Sequence, residues 1–248
     1  MSEIFYQGWA AVYEDFERDA AQATWRQGIV DDLRRLGCGH SRILDLGAGT
    51  GIGRRVIAQE FPGAVVVSLD QSRHMLEAGG VPAELALVGD MARFEVEPGS
   101  FDFVVSGFDV FNNLDRERLA SCLDCVARAL RPGGHLIFDY LPRQVIQHDW
   151  GNLEIQREHD GRRLEVRHHF EPISDRNRIA VQLVVDGRVT WAETHFYHAI
   201  DPFTIHELAG RTGLSVVQVR DLDRQTFSPG SGTHVYLLHK GLRDGATQ

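Results

Sequence analysis

Lysine is almost absent from this chain: Lys240 is the only one among 248 residues. A loop that cradles a polyphosphate draws on a lysine beside its glycines, so a nucleotide held by its phosphates is not expected. Basic side chains are scarce altogether, 26 against 35 acidic ones for a formal net charge of −9. A nucleic-acid partner needs a basic footprint, which leaves a small molecule as the expected partner. Cysteine is sparse too. Three residues, an odd count, cannot build a disulfide framework. The first residues, MSEIFYQGWAAVYEDFERD, mix aromatic and acidic side chains without a basic start, an apolar segment or a cleavage pattern. Together these imply a reduced, cytoplasmic chain. No stretch approaches the roughly 20 apolar residues of a membrane helix. With 43% hydrophobic residues the composition is that of a globular protein, of one or two domains by length.

What is present is an alternation of strand and helix signals. Phe16 to Leu36 carries Ile29, Leu33 and Leu36 at helical spacing. Arg42 to Leu46 reads as a short buried strand that runs into the glycine loop Gly47 to Gly51, followed by a helix to about Gln59. Val65 to Leu69 is a second strand, and Ser72 caps the helix after it. Leu85 to Val88 and Phe101 to Val105 are the third and fourth. Asp115 caps a helix with a buried stripe of Leu119, Leu123, Val126 and Leu130. Pro132-Gly133-Gly134 turns into a fifth strand, His135 to Tyr140. Strands alternating with helices imply an α/β fold with a doubly wound, mostly parallel sheet.

The pattern changes after Pro142. Leu153 to His198 alternates like antiparallel strands, with Asp160-Gly161 and Asp186-Gly187 as hairpin turns. Helical signals return at Thr204 to Thr212, and two strands, Ser215 to Val219 and His234 to Leu238, end the chain and bring the sheet to seven strands. The expected organisation is one α/β domain, residues 1–142 and 199–248, interrupted by an antiparallel β insertion at 143–198. The insertion follows the fifth strand on the side where open α/β sheets bind ligands. A lid over a pocket and a dimerisation surface both fit that position, so homodimerisation stays open.

The sharpest motif is ILDLGAGTG with Asp70 ending the next strand. A glycine loop lets backbone approach a ligand, the following helix N-terminus offers free N–H groups, and an acid about 20 residues on can take two ribose hydroxyls. A dinucleotide fingerprint needs G-x-G-x-x-G. Here Gly47, Gly49 and Gly51 are followed by Ile52, so a nucleoside without pyrophosphate is expected.

LDLGAGTG, the acid of VSLD, GDM at Gly89 to Met91, FDFVVSGFDVF and LRPGGHLIFDY occur in that order. With them the chain resembles the class I S-adenosylmethionine-dependent methyltransferases. The resemblance implies the Rossmann-like methyltransferase fold and S-adenosyl-L-methionine as cofactor. It further implies that Asp45, Gly47, Ala48 and Gly49 lie beneath the methionine portion and that Asp70 binds the ribose with Gln71 beside it. Asp90 and Met91 would bracket the adenine, Ser106 and Phe108 would close the methionine side, and Tyr6 and Tyr13 would fold over the cofactor. An aromatic face suits a sulfonium cation, although Tyr6 also reads as an ordinary half-buried tyrosine. The insertion, ending in AETHFYHAIDPFTIHEL before RTGLSVVQV, is similar to small-molecule N-methyltransferases of the amino-sugar type. Asn112 and Asn113 stand where several of those enzymes carry an aromatic residue or histidine.

Twelve histidines raise a metal site. Neighbours such as His168 and His169 point to opposite faces of a strand, and no cysteine helps nearby, so no metal is expected. One histidine of the insertion as a general base is the better reading. Cys122 and Cys125 lie inside an amphipathic helix and read as core. Ser231 reads as part of a turn. The expected activity is methyl transfer to a small-molecule acceptor, an amine ahead of a hydroxyl. Tyr13, Asn113 and His195 are the catalytic candidates, with Asp109 and Glu193 beside them. The alternatives are a small-molecule O-methyltransferase and a cofactor-binding paralogue without transfer activity.

Overall fold

Ile43, Leu44 and Leu46 are fully buried in Arg42–Leu46 (β1), which apolar side chains suit to burial on both faces. The computed structural model of the chain describes residues 6–223 and 232–242; the expected turn at Ser231 lies outside them. Gln7–Ala10 (α1) and Tyr13–Thr24 (α2) precede β1. After α2 the helix widens into a π-helical turn at Trp25–Val30 and ends as Asp31–Arg35 (α3). Sequence periodicity predicts one helix here, and the wide turn has a local cause. Arg220 reaches in from the far end of the chain and donates to the carbonyls of Gln27 and Gly28, at 3.2 and 2.7 Å, and to Asp32 Oδ2 at 3.1 Å. It thereby satisfies carbonyls at the irregular turn.

Ile52–Glu60 (α4), Val65–Asp70 (β2), Arg73–Ala78 (α5), Ala86–Val88 (β3), Phe101–Ser106 (β4), Arg116–Ala129 (α6) and Leu130–Tyr140 (β5) follow. Ser72 and Asp115 cap α5 and α6 through their side chains, accepting from Met75 N–H and Arg118 N–H. β5 begins five residues earlier than Pro132-Gly133-Gly134 predicts. Leu130 already pairs with Phe101, and the turn residues form an irregularity before His135 pairs with Phe103. A second sheet comes next, built from Glu154–His159 (β6), Arg162–Glu171 (β7), Arg176–Val185 (β8) and Arg188–His198 (β9) in meander order. Pro202–Arg211 (α7), Leu214–Asp221 (β10) and His234–Lys240 (β11) return to the first sheet.

The first sheet has the order β10-β11-β5-β4-β1-β2-β3. It is parallel except for β11, which runs antiparallel to both β5 and β10. Alternate residues feed two apolar layers. Leu44, Val104, Leu136 and Phe138 pack with α6 and α7, while Ile43, Val105 and Ile137 pack with α4 and the Trp25 turn. The chain moves outward from β1 to β2 and β3, then crosses to β4 and β5. This reversal opens a crevice at the carboxyl ends of β1 and β4.

The second sheet closes that crevice from above. Both predicted Asp-Gly turns carry positive φ at their two central residues, 46° and 72° at Asp160-Gly161 and 49° and 73° at Asp186-Gly187. This matches the twist of the strands they join. Trp9 and Val12 of the N-terminal segment pack into the sheet's inner face with Leu164, Ile179, Val181 and Leu183. Trp9 stacks on Trp191 at 5.7 Å. A Cβ on Gly8 would meet the Trp191 indole at 2.0 Å, so only glycine lets the segment lie this close. Among the described residues no helix is long and apolar enough to cross a membrane.

Candidate functional site

The loops at the carboxyl ends of β1, β2, β3 and β4, the N-terminal aromatics and the inner face of the second sheet enclose one cavity of about 480 Å³, the size of a small-molecule site. Its floor is the glycine loop. Gly47 and Gly49 take left-handed φ of 66° and 55° and both line the cavity. Beneath them Asp45 is 0% exposed, and among the described residues neither carboxylate oxygen has a hydrogen-bond partner. Burial, with Asp70 nearby, pushes its pKa well up.

Asp70 reaches the cavity wall while accepting the N–H of Gly49 and of Ser72, each at 2.8 Å. It therefore fastens the glycine loop to the start of α5, and its remaining lone pairs face the ligand space. Burial raises its pKa, and those two amides work against the rise. Gln71, Met91 and Phe108 line the same cavity. So does Asp90, with a companion the sequence reading did not supply: Arg118 donates to both its oxygens, at 2.8 and 3.2 Å, and Ala92 N–H donates at 2.9 Å. The signal was a basic residue in the first turn of α6, but its pairing with β3 depends on the fold.

Two expected residues lie elsewhere. Ser106 does not close the cavity. It is 1% exposed, and its hydroxyl donates to Leu46 O at 2.8 Å, tying β4 to β1. It shares the face of β4 that carries Val104 into the core rather than pointing past the strand end. Ala48 lines a small adjoining pocket with Trp25 rather than the main cavity.

Tyr6, Tyr13, Asn113 and His195 all line the cavity. Tyr6 stacks on the His195 ring at 4.7 Å, and its backbone N–H donates to Glu193 Oε2 at 3.3 Å. His195 Nε2 stands 2.5 Å from Glu193 Oε1 in an enclosed setting, and burial holds the Tyr6 and Tyr13 phenols protonated. Asn113 donates to Val110 O at 3.0 Å. Its neighbour Asn112 is structural, with its amide giving to and taking from the backbone of Leu141, at 3.0 and 2.9 Å.

Asp139 is the residue that sequence reasoning passed over. It is the next-to-last residue of β5, is 1% exposed, and accepts the N–H of Phe108 and of Asp109 at 2.8 and 2.9 Å. Those two residues have φ of 69° and 61°, left-handed values that cost non-glycine residues energy. Asp139 offsets that cost and so aims the Asp109 side chain. Burial pushes the Asp139 pKa up to about 6, and burial beside Asp139 pushes Asp109 well above the carboxylate range. Among the described residues no cluster of three histidine, cysteine or acidic side chains could hold a metal ion.

S-adenosylmethionine fits these donors. Asp70 suits a ribose diol, and the Gly47–Gly49 floor has no side chain to obstruct a ligand. The unpartnered Asp45 carboxylate lies under the same loop, and the Tyr6 and Tyr13 rings suit a cation.

Residues 43–134 match the family described as a methyltransferase domain. The chain is similar to malonyl-[acyl-carrier protein] O-methyltransferase of Methylococcus capsulatus, 32% identical over 126 residues that make up 48% of this chain and 44% of that protein. It spans about half the length of the curated relatives it matches. In structure it is similar to an S-adenosylmethionine-dependent methyltransferase from Clostridium acetobutylicum, with a TM-score of 0.79 at 20% identity over 95% of this chain and 99% of that one. It is also similar to the sugar N-methyltransferase KedS8 from Streptoalloteichus sp, with a TM-score of 0.69 at 20% identity over 95% and 93%. Residues 43–134 thus match a methyltransferase-domain family, and the chain as a whole has the fold of solved S-adenosylmethionine-dependent methyltransferases.

Proposed function

We propose that the protein transfers the methyl group of S-adenosylmethionine to a small-molecule acceptor held between the carboxyl edge of the first sheet and the second sheet, which acts as a lid. One observation carries this reading: the glycine loop with Asp70 and the lid residues His195 and Tyr197 line the same enclosed cavity. When bound, the cofactor supplies an already electrophilic methyl on a sulfonium. The protein's share of the work is alignment and exclusion of water.

Asp70 and Gln71 hold the ribose, Asp90 and Met91 the adenine, and Tyr6 and Tyr13 cover the sulfonium end. Arg118 takes up part of the Asp90 carboxylate, which would leave a lone pair to accept from the adenine amino group. An amine acceptor arrives largely protonated and must give up a proton before its lone pair can attack. His195, oriented by Glu193, takes that proton, while Asn113 and Asp109 orient the acceptor. An amine is the first reading, in keeping with the printed name of KedS8. A hydroxyl acceptor is the second, because the same His195–Glu193 pair would take the proton that an oxygen nucleophile must lose.

The test is release of S-adenosylhomocysteine with panels of small amines and of hydroxyl compounds. His195→Ala lowers turnover on the best acceptor by about 100-fold or more, the range of a lost general base, and leaves S-adenosylhomocysteine affinity within about twofold. Cofactor binding without transfer to any member of either panel would mark a binding protein rather than an enzyme.

A further inference from the structure

Taking the cavity as a methyl-transfer site, we infer that its acceptor is a largely apolar ring compound carrying a hydroxyl or N–H group that donates to His168, at the opposite end of the lid from His195. The register of the lid carries the argument. His168 of β7 pairs with Ile179 of β8, which pairs with His195 of β9. Residues directly opposite one another share a face, so two imidazoles flank Ile179 in one row. With strands about 4.8 Å apart, the two are about 10 Å apart. The next row on that face runs Ile155, Val166, Val181 and Glu193. The ceiling between the histidines is therefore aliphatic.

His195 is already engaged by Glu193 and Tyr6. His168 is not. It is 7% exposed, it lines the cavity, and among the described residues its hydrogen-bonding side-chain neighbour is Asn177. Its Nδ1 is fully buried. Asn177 Oδ1 has no other partner among the described residues, while the Asn177 amide donates to Ile146 O and Trp150 O at 3.2 and 3.0 Å. Trp150 holds the imidazole edge-to-face at 5.0 Å and stacks with Tyr197 at 6.2 Å. Burial lowers the His168 pKa to about 4, which keeps the ring neutral. With its proton on Nδ1 towards Asn177 Oδ1, the imidazole has Nε2 left as an acceptor.

A polar group kept unpaired in an apolar wall is costly, and a donor on the ligand removes that cost. A polyhydroxylated sugar has the opposite match. Those of its hydroxyls that face Ile155, Val166, Ile179 and Val181 would have no partner there, and Arg157, the charged group on the same face of β6, is already paired with Glu17.

The experiment compares 5-hydroxyindole, indole and D-glucosamine as probes. Their binding to the full chain is measured by calorimetry, with and without saturating S-adenosylhomocysteine. The wild type binds 5-hydroxyindole at least tenfold more tightly than glucosamine. His168→Phe, which keeps a ring against Trp150, weakens 5-hydroxyindole by about tenfold, the usual loss for one buried hydrogen bond. It changes indole by less than threefold, and His168→Gln restores part of the loss. Unchanged S-adenosylhomocysteine affinity in both variants reports an intact fold. Tighter binding of glucosamine, or equal 5-hydroxyindole binding by wild type and His168→Phe, overturns the inference. Failure of the wild type to bind S-adenosylhomocysteine overturns the methyl-transfer reading instead, and the indole arms measured without it still report on the lid.

Discussion

Gly47→Ala is expected to be the most damaging single-methyl change in the glycine loop, for reasons that can be added up. Gly47 has φ of 66°, and a Cβ there would stand 2.3 Å from Val110 Cγ1 and 3.1 Å from Cγ2. The left-handed backbone costs alanine about 1–2 kcal/mol. Forcing a methyl into occupied space costs about 1–3 kcal/mol more. The stiffer unfolded chain returns about 0.4–1 kcal/mol, which leaves a net loss of about 1–4.5 kcal/mol. Gly49 has nearly the same backbone, but its Cβ would meet only the flexible end of Met75, 3.3 Å away. Gly49→Ala should therefore cost about 1 kcal/mol, the backbone share alone. Val110→Ala in the Gly47→Ala background removes the overlap, so the two changes couple favourably by about 1–2 kcal/mol in a double-mutant cycle. Urea unfolding followed by tryptophan fluorescence measures the wild type, the three single variants and the double variant. Equal stability of the two glycine variants, or strict additivity with Val110→Ala, would refute the close approach of the loop to the turn after β4.

Asp70→Ala should weaken S-adenosylhomocysteine binding by about 1.5–3 kcal/mol through lost charge-assisted hydrogen bonds. It should also lower stability, because Gly49 N–H and Ser72 N–H lose their acceptor. Calorimetry and unfolding separate the two losses, and unchanged cofactor affinity in a folded variant would mean that another residue holds the ribose. Asp139 gives a pH prediction. Its folded pKa, about 6, lies above the ordinary 3.8, so the neutral acid is favoured in the folded state. The stability this confers is complete below about pH 3.8 and is lost as pH rises through about 6. The stability of the wild type relative to Asp139→Asn should fall by up to about 3 kcal/mol across that window. The titration belongs to the Asp109–Asp139 pair, and a difference that does not change with pH would contradict it.

Local chemistry explains which parts of this protein were legible in its sequence. β1, the glycine loop, the Ser72 and Asp115 caps and both Asp-Gly turns depend on residues a few positions apart, and each forms where the sequence predicts it. The π-helical turn at Trp25 was not legible, because the arginine that satisfies its carbonyls lies 192 residues from Gly28. Asp139 was hidden for the same reason: an acid near the end of an apolar strand gives no sign that it will brace two left-handed residues in the turn after the neighbouring strand. Ser106 shows the converse error, since its place in a motif suggested a ligand contact while strand parity turned it inward.

The lid sets out the difference between periodicity and register most clearly. Alternation alone predicts that His168 and His169 point to opposite faces, and they do, with one buried in the cavity wall and the other exposed. Alternation cannot say which of the two faces inward. That depends on how β7 docks against the N-terminal aromatics and β8, where Leu164 and Ile179 enter the core around Trp9. A slip of one residue would bring His169 and Arg167 into the cavity in place of His168 and Val166. The cavity would then gain a charge in place of an aliphatic ceiling. The apolar packing of Trp9 on the lid thus selects the ligand chemistry as well as the fold, although Trp9 lies far from the lid strands in sequence.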